Sequence, residues 1–127
     1  MKTVTEVQFG EARLKAIAKW SAPLSMNADE FTHWWDYVGS CPCSFCHAFL
    51  SQVDETPYIF TCGHCPLKDG ECSCANEYEQ ICHIMDYIDD DHPLGASALT
   101  KVRELSRKLM TRIRDIKYDP AWGEEAA

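Results

Sequence analysis

The sequence has little positive charge and no long apolar run. Its 12 lysine and arginine residues stand against 20 aspartate and glutamate residues, which gives a formal net charge of −8. Proteins that grip a phosphate backbone without sequence preference use a net basic surface, so this balance disfavours that kind of binding. No window reaches the roughly 18 apolar residues of a membrane span, and no apolar stretch of signal-peptide type follows Met1. We therefore expect a cytoplasmic protein.

Recognisable catalytic patterns are also missing. The glycines form no phosphate-cradling loop, and no Ser/His/Asp arrangement or carboxylate pair has a supporting context. We therefore favour a protein that acts by binding over an enzyme.

Cysteine, by contrast, is abundant, and all eight cysteines lie within residues 41–82. Cys43 and Cys46 form one pair, and Cys62 and Cys65 form another; the two-residue spacing in each lets both thiolates bind one metal ion. Without an export signal, we expect reduced thiols and not disulfides. Four thiolates complete a tetrahedral site, so the sequence predicts a structural zinc ion. An iron–sulfur cluster uses the same ligands and is the alternative.

Further cysteines and histidines lie close to this quartet. The candidates for additional or substitute metal ligands are Cys41, Cys72, Cys74, His47 and His64. Cys82 falls within a predicted helix, where a free cysteine commonly behaves as a small apolar residue. The Cys62-Gly-His-Cys65 sequence also matches the dithiol of disulfide isomerases, but no βαβ pattern surrounds it. Thiol–disulfide exchange is therefore a less favoured interpretation.

Two helices are predicted before the cysteine-rich segment. The first covers residues 9–20, with Leu14, Ile17 and Ala18 on its apolar side, and Pro23 ends it.

The second helix has the clearest signals. Asn27 is a suitable N-cap and Glu30 follows three residues later, as a capping box requires. Gly39 is a natural stop just after the last turn. The spacing i, i+3, i+4, i+7 predicts one buried stripe, made of Phe31, Trp34, Trp35 and Val38. Because two adjacent helical residues do not both point fully inward, one tryptophan is a candidate for capping the metal site or for a contact surface.

Two more helices are predicted after the cysteine-rich segment. The third is capped by Asn76 and ends in residues 89–93; its stripe is Tyr78, Ile81, Met85 and Ile88. The last is capped by Ser97, and its apolar positions are Leu99, Val102, Leu105, Leu109, Ile113 and Ile116.

The predicted fold is therefore mainly α, with about four helices around a small zinc-knuckle insertion. Its parts are N-terminal helices in 1–40, a metal-binding segment in 41–75, C-terminal helices in 76–119 and a tail in 120–127. A short β-hairpin is a candidate structure between the two cysteine pairs. We expect a single domain of 127 residues.

The last helix is locally basic. Residues 101–117 hold seven basic and two acidic side chains, a local charge of +5 against −13 for the remainder. Arg103, Arg107 and Arg114 share one side of this helix and are candidate contacts for nucleic acid or an acidic partner. The alternative is a basic helix that lies near the acidic residues 86–91 of the same fold.

Several motifs occur in a recognisable order over residues 28–116. They are Trp34-Trp35, Cys43-Ser-Phe-Cys46, Cys62-Gly-His-Cys65-Pro66-Leu67, Gly70-Glu-Cys72 and Tyr78. This order resembles a group of small cysteine-rich proteins common in bacteriophage and prophage genomes. Cys41, Cys74 and Cys82 are additions to that outline. The resemblance implies a viral origin and a metal site.

Together these features predict a non-enzymatic, zinc-stabilised accessory protein of phage type. We expect it to bind a host or viral protein, for example to inhibit a host defence or transcription factor. The alternatives are a nucleic-acid-binding zinc module that uses the basic last helix, and an iron–sulfur or thiol-redox protein.

Overall fold

The computed structural model describes residues 4–39 and 75–123. These residues form four α-helices: α1 (Glu6–Ser21), α2 (Ala28–Trp34), α3 (Asn76–Met85) and α4 (Ala96–Asp115). Shorter elements are 3-10 turns at Ala22–Ser25 and Pro120–Gly123 and a π-helical turn at Trp35–Gly39. The mainly α class is confirmed, and the described ranges contain no strand. The predicted zinc knuckles and hairpin lie outside the described residues.

Helix α1 buries a different face from the predicted one. Thr5 and Gln8 form a capping box, so the helix begins three residues before the predicted start. Its buried side chains are Phe9, Ala12, Ala16 and Trp20. Leu14 is 70% exposed and Ala18 is exposed, so only Ile17 of the predicted apolar set is partly buried. The two aromatic rings lie eleven residues, about three turns, apart, and their larger buried area decides the inward face.

The capping box at the start of α2 is confirmed. The backbone N–H of Glu30 donates to Oδ1 of Asn27 at 2.9 Å, and the N–H of Asn27 donates to Oε1 of Glu30 at 3.1 Å. These bonds satisfy two of the donors that every helix leaves free at its N-terminus.

A π-helical turn changes the predicted stripe at the end of α2. Trp34 and Trp35 are both buried, whereas Val38 is 43% exposed and Gly39 is buried. A π turn holds one more residue than an α turn, so the inward position moves from Val38 to Gly39. A Cβ atom on Gly39 would lie 2.5 Å from Trp34 and 2.7 Å from Trp35. Only glycine therefore fits at position 39 beside the two rings. The backbone of Gly39 does not adopt the left-handed conformation that a glycine commonly has at the C-terminal end of a helix.

Helices α3 and α4 begin without the predicted side-chain caps. The N-cap of α3 is Ala75, one residue before Asn76, and the N-cap of α4 is Gly95 in place of Ser97. Ala75 is fully buried, so packing fixes the start of α3. Helix α3 also ends at Met85, before the predicted residues 89–93.

The predicted stripe of α4 forms the centre of the core. Its fully buried side chains are Val102, Leu105, Leu109 and Ile113, together with Ser106, whose hydroxyl donates to the carbonyl of Val102 at 2.8 Å. Leu99 and Ile116 at the two ends are partly buried. Helix α4 packs against both α1 and α3, so helices from both sides of the cysteine-rich segment share one core.

The 3-10 turn at Pro120–Gly123 is part of the fold, although the sequence predicts a polar tail from residue 120. Trp122 packs its ring 5.4 Å from that of Phe9, and its carbonyl accepts from the N–H of Val4 at 2.8 Å. The Tyr118 hydroxyl donates to the carbonyl of Val4 at 2.7 Å. The prediction missed this turn because its partners lie more than 100 residues away in sequence. Residues 124–127 lie outside the described residues.

Candidate functional site

The predicted metal ligands all lie outside the described residues. They are Cys41, Cys43, Cys46, His47, Cys62, His64, Cys65, Cys72 and Cys74. Within 4–39 and 75–123, no group of three or more His, Cys, Asp or Glu side chains is arranged to hold a metal ion. The zinc site and its iron–sulfur alternative therefore stay predictions.

The described residues do show what lies at the two ends of that segment. Trp20, Phe31, Trp34, Trp35 and Tyr78 form an aromatic cluster, in which neighbouring ring centroids are 5.6–6.4 Å apart. These tilted, edge-to-face and stacked arrangements contribute to stability beyond the buried area alone.

Gly39 and Ala75, the described residues on either side of residues 40–74, both belong to this region. Gly39 packs against the rings of Trp34 and Trp35. Ala75 is buried, and its carbonyl accepts from Glu79 in the first turn of α3, which carries Tyr78. The ring of Tyr78 lies 5.8 Å from that of Trp35. The chain therefore leaves and re-enters the helical core at the aromatic cluster.

Cys82, on α3, lies among the described residues and packs against the core, as predicted for a cysteine within a helix. Burial is the main cause that raises the pKa of its thiol; Asp86 and Glu79 add to the rise, and a hydrogen bond with Tyr78 opposes it. A raised pKa leaves less of the nucleophilic thiolate, so Cys82 is suited to packing and not to redox exchange.

We expect native Cys82 to react with iodoacetamide several-fold more slowly than in the urea-unfolded chain at about pH 8. The neutral thiol is favoured in the fold, so its stabilisation is present below the ordinary thiol pKa and is lost as the pH rises. Peptide-resolved mass spectrometry measures both rates. Equal reaction rates in the folded and unfolded chain would contradict the packing role of Cys82.

The structure separates the three arginines that the sequence groups together on α4. Arg103 donates from Nη2 to the carbonyl of Met26, which ties α4 to the connection before α2. The Nε atom of Arg103 is buried and has no hydrogen-bond partner within the described part of the chain. Arg107 and Arg114, in contrast, are exposed. Arg103 is therefore part of the scaffold, and only the other two are available to a ligand.

Replacing Arg103 with alanine should lower the free energy of unfolding by about 1–1.5 kcal/mol, because a partly buried charged hydrogen bond is lost. Arg107→Ala, one turn further along α4, should change it by less than about 0.5 kcal/mol. Urea denaturation followed by circular dichroism measures both values. Similar losses of unfolding free energy in the two variants would contradict the assignment of Arg103 to the scaffold and of Arg107 to the free surface.

Arg107 and Arg114 line a groove between α1 and α4. One section, about 300 Å³ in volume, lies between these arginines and is bordered by Ile17, Leu24, Met110 and Thr111. Arg114 also lines a second section of about 720 Å³ with Arg13, Lys117, Glu6 and Asp115 among its walls. We call the two sections together the α1–α4 groove. No sequence signal connects Arg13 with α4, because their proximity arises only from helix packing.

A second exposed surface lies on the π turn. Tyr37 is 70% exposed and its ring lies 4.7 Å from that of His33, one turn earlier. Val38 is exposed beside it, immediately before Gly39 and the cysteine-rich segment. This His33–Tyr37–Val38 surface has aromatic and apolar groups in contact with solvent.

Comparison of the chain with protein-family models, curated proteins and solved structures finds no match. Among the described helices, none has the length and apolar character needed to cross a membrane.

Proposed function

We propose that this chain is a non-enzymatic, zinc-stabilised accessory protein of phage type that binds a host or viral protein in the host cytoplasm. Cys43, Cys46, Cys62 and Cys65 hold the zinc ion in this proposal. Four thiolates leave no open coordination position, so the metal has a structural role.

The observation that carries the proposal is the π turn at the end of α2. Tyr37 and Val38 in this turn are exposed to solvent, while Trp35 and Gly39, together with Trp34 at the end of α2, are buried. Tyrosine is enriched where proteins meet, since it offers a large rigid apolar face and a polar tip. π turns often mark functional positions, where a regular helix would have aimed the side chains differently.

The charges of α4 support a protein partner over nucleic acid. Arg103 is bonded to Met26, and Arg112 pairs with Glu77 on α3. Lys108 and Arg114 each lie within 3.3 Å of an acidic side chain of the same helix. Internal partners thus offset part of the local positive charge, and the whole chain is acidic.

Affinity capture from host lysate tests the proposal. The bait is the full chain, compared with a Tyr37→Ser/Val38→Ser variant and with Tyr87→Ser, which changes a 79% exposed tyrosine elsewhere. We expect a protein that is retained by the native chain and by Tyr87→Ser, and reduced about tenfold or more by the double variant, as for an interface hot spot.

Equal retention by all three baits, or no retained protein, would contradict the proposal. Retention of DNA or RNA that falls steeply between low and moderate salt would instead favour the nucleic-acid alternative.

A further inference from the structure

The α1–α4 groove has an apolar end. Ile17, Leu24 and Met110 are each only partly covered by the fold, and they border the smaller section. Leu14 lies three residues before Ile17 on α1 and is 70% exposed, so apolar surface continues along that helix. The section of about 300 Å³ accepts a single aliphatic or aromatic side chain.

Basic side chains line this apolar end, and others line the adjacent larger section. Arg107 and Arg114 are separated by seven residues of α4, about 10 Å along the helix axis. Arg13 and Lys117 continue the positive charge into the larger section. Against these four cations the walls of the two sections hold two carboxylates, Glu6 and Asp115, which leaves a local charge of +2 on a chain of −8.

The arginine donors are accessible. Arg107 forms no ion pair within residues 4–39 and 75–123. Arg114 contacts Asp115 through Nε at 3.1 Å, and both side chains are more than 60% exposed. Its terminal nitrogens can therefore form the paired N–H···O bonds that arginine makes with carboxylates.

We infer that the α1–α4 groove binds an acidic peptide segment of a partner protein, with one apolar anchor residue between flanking carboxylates. The anchor enters between Ile17, Leu24 and Met110, and the carboxylates pair with Arg107 and Arg114. This inference rests on the proposed function, because it specifies the chemistry of the protein partner.

Charge and lining together favour a peptide over a nucleic acid. A phosphate backbone gains nothing from the apolar end, which Ile17, Leu24 and Met110 border. A peptide with one apolar side chain between acidic ones complements both the apolar end and the arginines beside it. Its binding weakens with salt only in proportion to the few charges it pairs.

Fluorescence anisotropy on the purified full chain tests the inference, at roughly 50 mM salt so that screening is limited. The probes are a labelled peptide Asp-Glu-Asp-Leu-Asp-Glu-Asp, the same peptide with serine for leucine, and a single-stranded oligonucleotide of equal charge. We expect the leucine peptide to bind at least about fivefold more tightly than the serine peptide, because burial of a leucine side chain is lost.

Charge variants locate the site. Arg107→Glu/Arg114→Glu should weaken binding of the leucine peptide at least tenfold, whereas Lys101→Glu/Lys108→Glu makes the same charge change on α4 outside the groove and should weaken it less than about threefold. Ile17→Ser should reduce the preference for leucine over serine. Circular dichroism confirms that each variant folds.

Equal binding of the two peptides, equal losses in the two double variants, or tighter binding of the oligonucleotide would overturn the inference. If these results occur while lysate capture still depends on Tyr37 and Val38, the groove inference fails and the proposed function stands. If the peptide binds as expected but no protein is captured from lysate, the proposed function fails separately.

Discussion

Replacing Trp20 with alanine is expected to lower the free energy of unfolding by about 3–5 kcal/mol, a large share of the stability of a small domain. Trp20 is almost fully buried, and its ring lies 5.6 Å from Trp34 and 5.8 Å from Tyr78. It therefore joins α1 to both sides of the cysteine-rich segment. Removal leaves a cavity that the surrounding rings cannot fill without leaving their positions. Urea denaturation followed by circular dichroism measures the loss.

Leu14→Ala is the matched control for Trp20→Ala. Leu14 lies on the same helix and is 70% exposed, so its truncation should change the free energy of unfolding by less than about 0.5 kcal/mol. A loss at Leu14 comparable to that at Trp20 would show that α1 presents its aliphatic face to the core, as the sequence pattern alone predicts.

Replacing Gly39 with alanine should lower the free energy of unfolding by about 1–3 kcal/mol, the range for overpacking a closely packed interior. The added Cβ atom would lie 2.5 Å and 2.7 Å from carbons of Trp34 and Trp35. Because both rings are buried, relief requires movement of the aromatic cluster or of the π turn. Trp fluorescence should shift to longer wavelength along with the loss of stability.

Gly10→Ala provides a control with the opposite sign. Gly10 lies inside α1, and a Cβ atom there meets no atom within 4 Å. Alanine has the higher helix propensity, so this variant should be more stable by about 0.5–1 kcal/mol. Destabilisation by Gly10→Ala, or a neutral effect of Gly39→Ala, would contradict the packing described for the two glycines.

The sequence predicts best where a signal is local and repeated. The capping box of Asn27 and Glu30 forms as predicted, since both partners lie within one turn. The N-caps predicted at Asn76 and Ser97 from single residues are each displaced to an earlier residue. The stripe of α4 is also correct, because five turns of regular spacing determine its inward face.

Features that depend on distant partners were not predictable in this way. Phe9 and Trp20 decide which face of α1 is buried. The ring of Phe9 packs on Trp122, and the ring of Trp20 packs on Trp34 and Tyr78, all in other elements. The π turn accompanies the burial of two adjacent tryptophans, and no local sequence pattern predicts it. In the sequence, Arg103 lies on the same side of α4 as Arg107 and Arg114. In the fold, Arg103 lies opposite the carbonyl of Met26 and binds it, so it stabilises the scaffold. The candidate groove likewise exists only after α1 packs on α4.

The metal content of the purified full chain tests the central proposal most directly. We expect about one zinc ion per chain by elemental analysis, and a colourless preparation. Cys43→Ser/Cys62→Ser should lose the zinc and unfold at a lower temperature, because zinc binding contributes to folding free energy. Cys82→Ser, which changes a cysteine packed in α3, should retain it in full. A native chain without metal, or a brown one that contains iron and absorbs at about 400 nm, would contradict the proposal.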